Sequence, residues 1–462
     1  MSNNALVALR AGAYDLHLVI AGSVRILFAL LVLGGWAGAQ EPPPDPTQGE
    51  RSDGRIDADD HPAADALAVP RLLLAPVRGL VYALSFPVRG LADFVETHHV
   101  IQWAVDATTF SDGKRGIRPN FDYSSHYAPT AGLTYFDHKT LGPGSELKAR
   151  FALGDARVME GMLYARPTAT GRRVQTDLRF DYLRRNDMYF DGIGPPETHR
   201  SRYAINAVTL WGGVHFRPTR LLAIDLEGET AWKHFAGGHE TDGNLPIGAV
   251  FCVHIFGRCV TNIVDPKQVP GFDTGANYER AALALRLDTR AQSLPPRSGF
   301  LAGLRVDYSH GYGGDLSSYF RVFGLVGVAV NLWRGSHLLV LRVQGWMVEA
   351  LNDIPVPFSE LPVLGALDAM PGYHIGSIRD QSTLIATAEY RWPIWMYADA
   401  SLFVDNGGAY VRNFADFGSR ARYWDVGLAL RVRTDSHFLF RIGLAYGVEG
   451  GDFQFFVGGD AP

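Results

Sequence analysis

At 462 residues the chain could fold as two or three soluble domains or as one large barrel, and its net charge of -5 argues against a nucleic-acid partner. Apolar residues make up 47% and mean hydropathy is -0.02, yet no run of about 18 apolar residues follows the N-terminal region, which excludes a helical membrane protein. Aromatic residues reach 12% and there are 51 glycines, as many strands joined by turns and ringed by interfacial Tyr and Trp would require.

In chain order, Arg25 precedes an apolar core, Ile26–Leu33, and then Ala37-Gly38-Ala39 stands before Gln40. This is the pattern of a signal peptide over 1–39, with a true start near Val24 because the leader ahead of it is long and polar; an uncleaved anchor is the alternative. Residues 40–70, rich in Pro, Asp and Ala, read as a disordered periplasmic linker. Over 71–100 a short repeat occurs: Pro76-Val77-Arg78-Gly79-Leu80 returns as Pro87-Val88-Arg89-Gly90-Leu91. The spacing of eleven puts Arg78 and Arg89 on one helical face, so the segment is expected as short amphipathic interfacial helices. They would lie at the membrane surface or barrel mouth, or pack against the barrel wall.

From 116 to 462 the pattern changes to strict alternation. Leu384, Ala386, Ala388, Tyr390, Trp392 and Ile394 share one face, with Thr383, Thr387, Glu389 and Arg391 on the other. Ala281, Leu283, Leu285 and Leu287 alternate with Arg280, Arg286 and Asp288, and Trp424, Val426, Leu428, Leu430 and Val432 alternate with Asp425, Arg431 and Arg433. About sixteen such strands are expected, starting near Ile117, Ala131, Ser145, Arg157, Arg173, Arg202, Leu221, Tyr278, Gly299, Ser317, His337, Ser382, Ala398, Tyr423, His437 and Phe453. The fold class is therefore all-β: an antiparallel transmembrane barrel of about 16 strands behind a short N-terminal helical segment. Two connections are long, His234–Ala276 and Asn352–Gln381. The first holds the only cysteines, Cys252 and Cys259, which in an exported chain are expected to form a disulfide at a small hairpin tip.

No catalytic constellation emerges, so no enzyme is expected. His98-His99 lacks metal-ligand spacing, Gly311-Tyr312-Gly313-Gly314 precedes no helix, and Asp405-Asn406-Gly407-Gly408 lacks the ligand series of a calcium loop. No metal or cofactor is called for.

The sixteen strands, the long eleventh connection, and the runs EYRWPI and LFVDNGG resemble the outer-membrane assembly and surface-antigen superfamily of the BamA and TamA type. The resemblance implies a loop folded back into the lumen, carrying a Val-Arg-Gly-Phe/Tyr motif whose Arg contacts acidic residues on the two following strands. Here the motif aligns with Met370-Pro371-Gly372-Tyr373 and the acidic residues with Glu389 and Asp405. Pro371 stands where the motif has Arg, so Arg379, or else His374, is expected to supply the lock's cation. The family's POTRA modules find no room before residue 116. The expectation is a POTRA-less barrel of the bacterial outer membrane, with its lipids and envelope proteins as partners, serving envelope biogenesis or lipid organisation rather than classical insertion. A channel and a structural surface antigen are the alternatives.

Overall fold

The computed structural model describes residues 107–459, apart from 111–113, 126, 156, 168–172, 195–200, 240–244, 248–252, 256–257, 261–264, 291–297, 314–315, 334–336, 366–368, 396–397, 421, 434–437 and 450–452. The leader, the linker, the interfacial segment with Arg78 and Arg89, and Cys252 lie outside the described residues.

Sixteen long strands close one antiparallel barrel: β1 Arg115–Ser124, β2 Thr130–Asp137, β3 Glu146–Leu153, β4 Met159–Arg166, β5 Val174–Phe190, β6 Ser201–Phe216, β7 Leu222–Gly237, β8 Tyr278–Asp288, β9 Gly299–Gly311, β10 Ser318–Trp333, β11 His337–Ala350, β12 Ser382–Trp395, β13 Ala398–Tyr410, β14 Tyr423–Arg433, β15 Phe438–Gly447 and β16 Phe453–Gly459. Each strand pairs with its sequence neighbours, and β1 meets β16 to close the ring. Within the long β7–β8 connection, Val253–Ile255 pairs with Arg258–Val260 as a hairpin.

The alternation read from sequence becomes two chemically distinct faces. Leu178, Leu226, Leu283, Val326, Leu341 and Leu428 point outward and are exposed. So broad an apolar wall is stable only against lipid. Inward, the strands carry ion pairs that run around the wall. Arg305 bridges Glu227 at 2.6 Å and Asp307 at 2.7 Å, and Arg321 reaches Asp307 at 2.8 Å. Buried charges of this kind persist because each is paired.

The loop between β11 and β12 folds into this polar interior. A 3-10 turn, Phe358–Glu360, leads to a two-residue ladder in which Val363 and Leu364 pair with Arg379 and Ile378. Leu364, Met370 and Ile378 bury themselves against Ile385, Ala409 and Tyr423 of the wall. Phe358 enters an aromatic nest made by Phe190, Tyr203, Phe235 and Phe272.

Candidate functional site: the lumenal loop and the seam

The motif tip comes first. Met370 adopts a positive φ of 63° and is fully buried, and Gly372 then presses its backbone onto β14 and β15. A Cβ on Gly372 would stand 2.7 Å from the Gly447 nitrogen and from Asp425 Cβ, so only glycine fits. That approach lets the Gly372 N–H donate to Asp425 Oδ2 at 2.7 Å. Tyr373 continues the anchor, its hydroxyl donating to Glu449 Oε2 at 2.7 Å and lying 3.0 Å from the Trp424 carbonyl. Burial and the Glu449 carboxylate push that phenol above its ordinary value.

Arg379 and His374, expected to supply the lock's cation, are placed among other neighbours. Arg379 is buried, but its guanidinium donates to the carbonyls of Gly376 (3.1 and 3.0 Å) and Phe358 (3.1 Å) and lies beside the Phe190 and Phe358 rings. It staples the loop to itself. His374 stacks on Tyr189 at 4.6 Å. Glu389 is taken by wall cations, Arg391 at 2.7 Å and Arg431 at 2.9 Å, so it needs nothing from the loop. Asp405 stands opposite Asp425 in the β13–β14 register and lies in the field of Arg342 and Arg441. With Pro371 in the motif, a backbone N–H and wall arginines do the work of the missing side chain.

The cationic half of a lock exists elsewhere, with its polarity reversed. Glu360, on the loop, is 3% exposed and faces Lys233 Nζ at 2.6 Å, Arg280 Nη2 at 2.6 Å and Arg321 Nη1 at 3.8 Å. These cations come from β7, β8 and β10. Arg280 also leans on Glu229 at 3.4 Å, and Glu229 accepts from the Tyr278 hydroxyl at 2.6 Å. Burial alone would push the Glu360 carboxyl up, but the three cations outweigh it and hold the group well below the usual carboxylate range. Neither Glu360 nor Asp425 was singled out as a lock residue from sequence. Asp425 was at least visible as an inward charge by alternation.

Beside β1–β7 the loop leaves a cavity of about 600 Å³, bordered by Arg150, Glu160, Arg179, Asp181, Arg185 and Lys233. Its charges pair internally, Arg185 with Glu160 at 3.0 Å and with Asp187 at 2.9 Å. Among the described residues, no three His, Cys, Asp or Glu side chains converge as a metal site would require.

The seam is the other unusual place. Among the described residues, β1 and β16 meet in two register pairs, Tyr123 with Val457 and Ser124 with Phe456, extended by the Ser125 N–H donating to the Phe455 carbonyl at 2.9 Å. By contrast β1 runs beside β2 from Arg115–Asp137 to Asp122–Thr130. Among the described residues the top of β1 pairs with the lower part of β16, while at the foot of β1 Thr109 folds back to bridge Gly116.

The Omp85 superfamily domain model matches residues 275–460. Those residues are similar to an Omp85 domain. The Omp85 match takes in β8–β16 and the whole lumenal loop, and the Glu360 lock ties this part to β7 through Lys233. No curated protein sequence matches the chain. Among solved structures it is similar to BamA from Haemophilus ducreyi lacking POTRA domains 1–3, at 12% identity and a TM-score of 0.51, covering 75% of this chain and 70% of that one. CdiB from Acinetobacter baumannii gives 12% identity and a TM-score of 0.44 over 73% and 59% of the two chains. OccK3 from Pseudomonas aeruginosa gives 12%, 0.32, and 74% and 91%. At such identities the BamA likeness speaks for the fold.

Proposed function

We propose that the chain is a non-enzymatic barrel of the bacterial outer membrane that serves envelope biogenesis or lipid organisation through its β1–β16 seam, in contact with outer-membrane lipids. The observation that carries this reading is the two-pair seam. A strand edge with few ladder bonds exchanges partners easily, and in lipid its unpaired backbone groups seek another strand or polar headgroups. The inward loop supports the same reading, since a side anchored at both Glu360 and Gly372 is not built for free passage.

The test is a disulfide across the seam. Tyr123→Cys with Val457→Cys, in a background where Cys252 and Cys259 are Ser, should close the seam on oxidation. Lipid redistribution in proteoliposomes, or the outer-membrane barrier in cells that depend on the protein, should then fail and recover on reduction. Full activity with the seam closed would overturn the reading. The cavity beside β1–β7 favours a second reading, a substrate-specific channel, for which closing the seam would leave transport untouched.

A further inference from the structure

The outer wall is covered on one side only. Along the foot of β6–β9, where strands meet the short turns, outward side chains stand open: Val214 is 44% exposed, Phe216 39%, Leu287 40% and Phe300 38%. Along the same level of β10–β15 they are hidden: Leu332 is 0% exposed, Tyr390 and Trp392 4%, Val432 6% and Ile442 7%. Two to four residues higher on those strands, Val328, Leu341, Val404, Leu428 and Leu444 are exposed again. Leu332, Tyr390, Trp392 and Ala400 pack together there, and the Tyr390 hydroxyl meets His337 Nδ1 at 2.7 Å. Neighbours on a sheet shield each other's flanks but not their tops, as the open residues higher up show. Something lies across this band.

The turns at this end cannot supply it. Those after β10, β12 and β14 hold only residues 334–336, 396–397 and 434–437. The chain ahead of Ala107 can. It reaches the barrel at the foot of β1, where Thr109 bridges Gly116, and β1 adjoins the covered side. Strands about 4.8 Å apart and tilted by about 45° make the rim from β16 to β10 about 40 Å long. A thirty-residue helical stretch would span about 45 Å. Residues 71–100 have that length, and Leu72, Leu73, Leu74, Leu80, Val81, Leu84 and Phe86 supply the apolar face.

We infer that residues 71–100 lie as a collar on the outer wall at the foot of β10–β15, ending beside the seam, at the level of the inner-leaflet headgroups. This holds whether or not the seam opens. In that position Arg78 and Arg89 face lipid phosphates while the leucines cover Tyr390 and Trp392. The collar makes one half of the rim protein-covered and leaves the β6–β9 half to lipid.

The test uses the full chain in outer membranes, with Cys252 and Cys259 replaced by Ser. Leu80→Cys paired with Ile394→Cys should cross-link within one chain through a short thiol-specific reagent, at least tenfold more than Leu80→Cys paired with Phe216→Cys. Alone, Ile394→Cys should react with a lipid-soluble maleimide at least tenfold more slowly than Phe216→Cys. Equal cross-linking at the two sites, or equal maleimide rates, would mean that lipid covers the band and would overturn the collar. A cross-linked product at twice the chain's mass would assign the band to a second copy, and would overturn it as well.

Discussion

Glu360 answers to three cations that no neighbour in sequence provides; Lys233 lies 127 positions away and Arg280 lies 80. Because its folded pKa is depressed from an unfolded value of about 4.3, its stabilisation is complete above that value and is lost as pH falls through the folded one. Glu360→Gln leaves the cations buried around a neutral amide and should cost about 3–5 kcal/mol, read as a lower temperature for converting the compact gel band. The gap between wild type and variant should narrow as the pH is taken below about 4. A gap of equal size at acid pH would show that charge is not the cause. Gly372→Ala tests the other anchor: its Cβ meets backbone on β15, so the loop tip should lift and become protease-accessible. Gly418→Ala, with open space around its Cβ, is the neutral control. Arg379→Glu should also destabilise, since it loses three hydrogen bonds to two carbonyls, but adding Asp405→Arg should restore nothing. Asp405 is not among the partners of Arg379, and rescue by that pair would revive the lock expected from sequence.

At the scale of elements, the strands were legible and the loop's partners were not. Alternation is a local property, and each of the sixteen expected strand starts falls within two residues of an observed one. The faces were right as well: Asp425 and Arg431 point inward, Val426 and Leu428 outward. The loop's apolar residues divide: Val356, Phe358, Leu361 and Leu364 are buried, while Ile354 and Val363 stay exposed. What sequence could not supply was pairing across the lumen. A loop carboxylate and wall cations from three strands meet only once the barrel closes. Replacement of the motif Arg by Pro371 suggested that another cation of the same loop would take its place. The structure instead neutralises Glu389 within the wall and leaves the tip to a backbone N–H, a donor with no sequence signature. The stagger of the closing pair is a property of ring closure, since strand composition sets the faces but not the register in which β1 meets β16.

Taken whole, the barrel is divided lengthwise. Toward β8–β16 the lumen holds the loop, fastened by Gly372 at one end and Glu360 at the other, with Phe358 in its aromatic nest between β5, β6 and β7. Toward β1–β7 it holds the charged cavity, whose wall ends at the short seam. A solute crossing the barrel would have to use the cavity side, where Tyr127 spans the space to the loop by donating to the Ile375 carbonyl at 3.2 Å. Conductance therefore depends on whether the loop stays docked. Refolded wild type in planar bilayers should show little steady current. Combining Glu360→Gln with Gly372→Ala removes both anchors and should give long-lived openings, because the loop then loses its ion pairs and its backbone contact together. Each single variant should give only brief openings, since the remaining anchor still holds. If wild type conducts steadily and the double variant conducts no more, the loop is not what closes the lumen, and the channel reading gains over the seam.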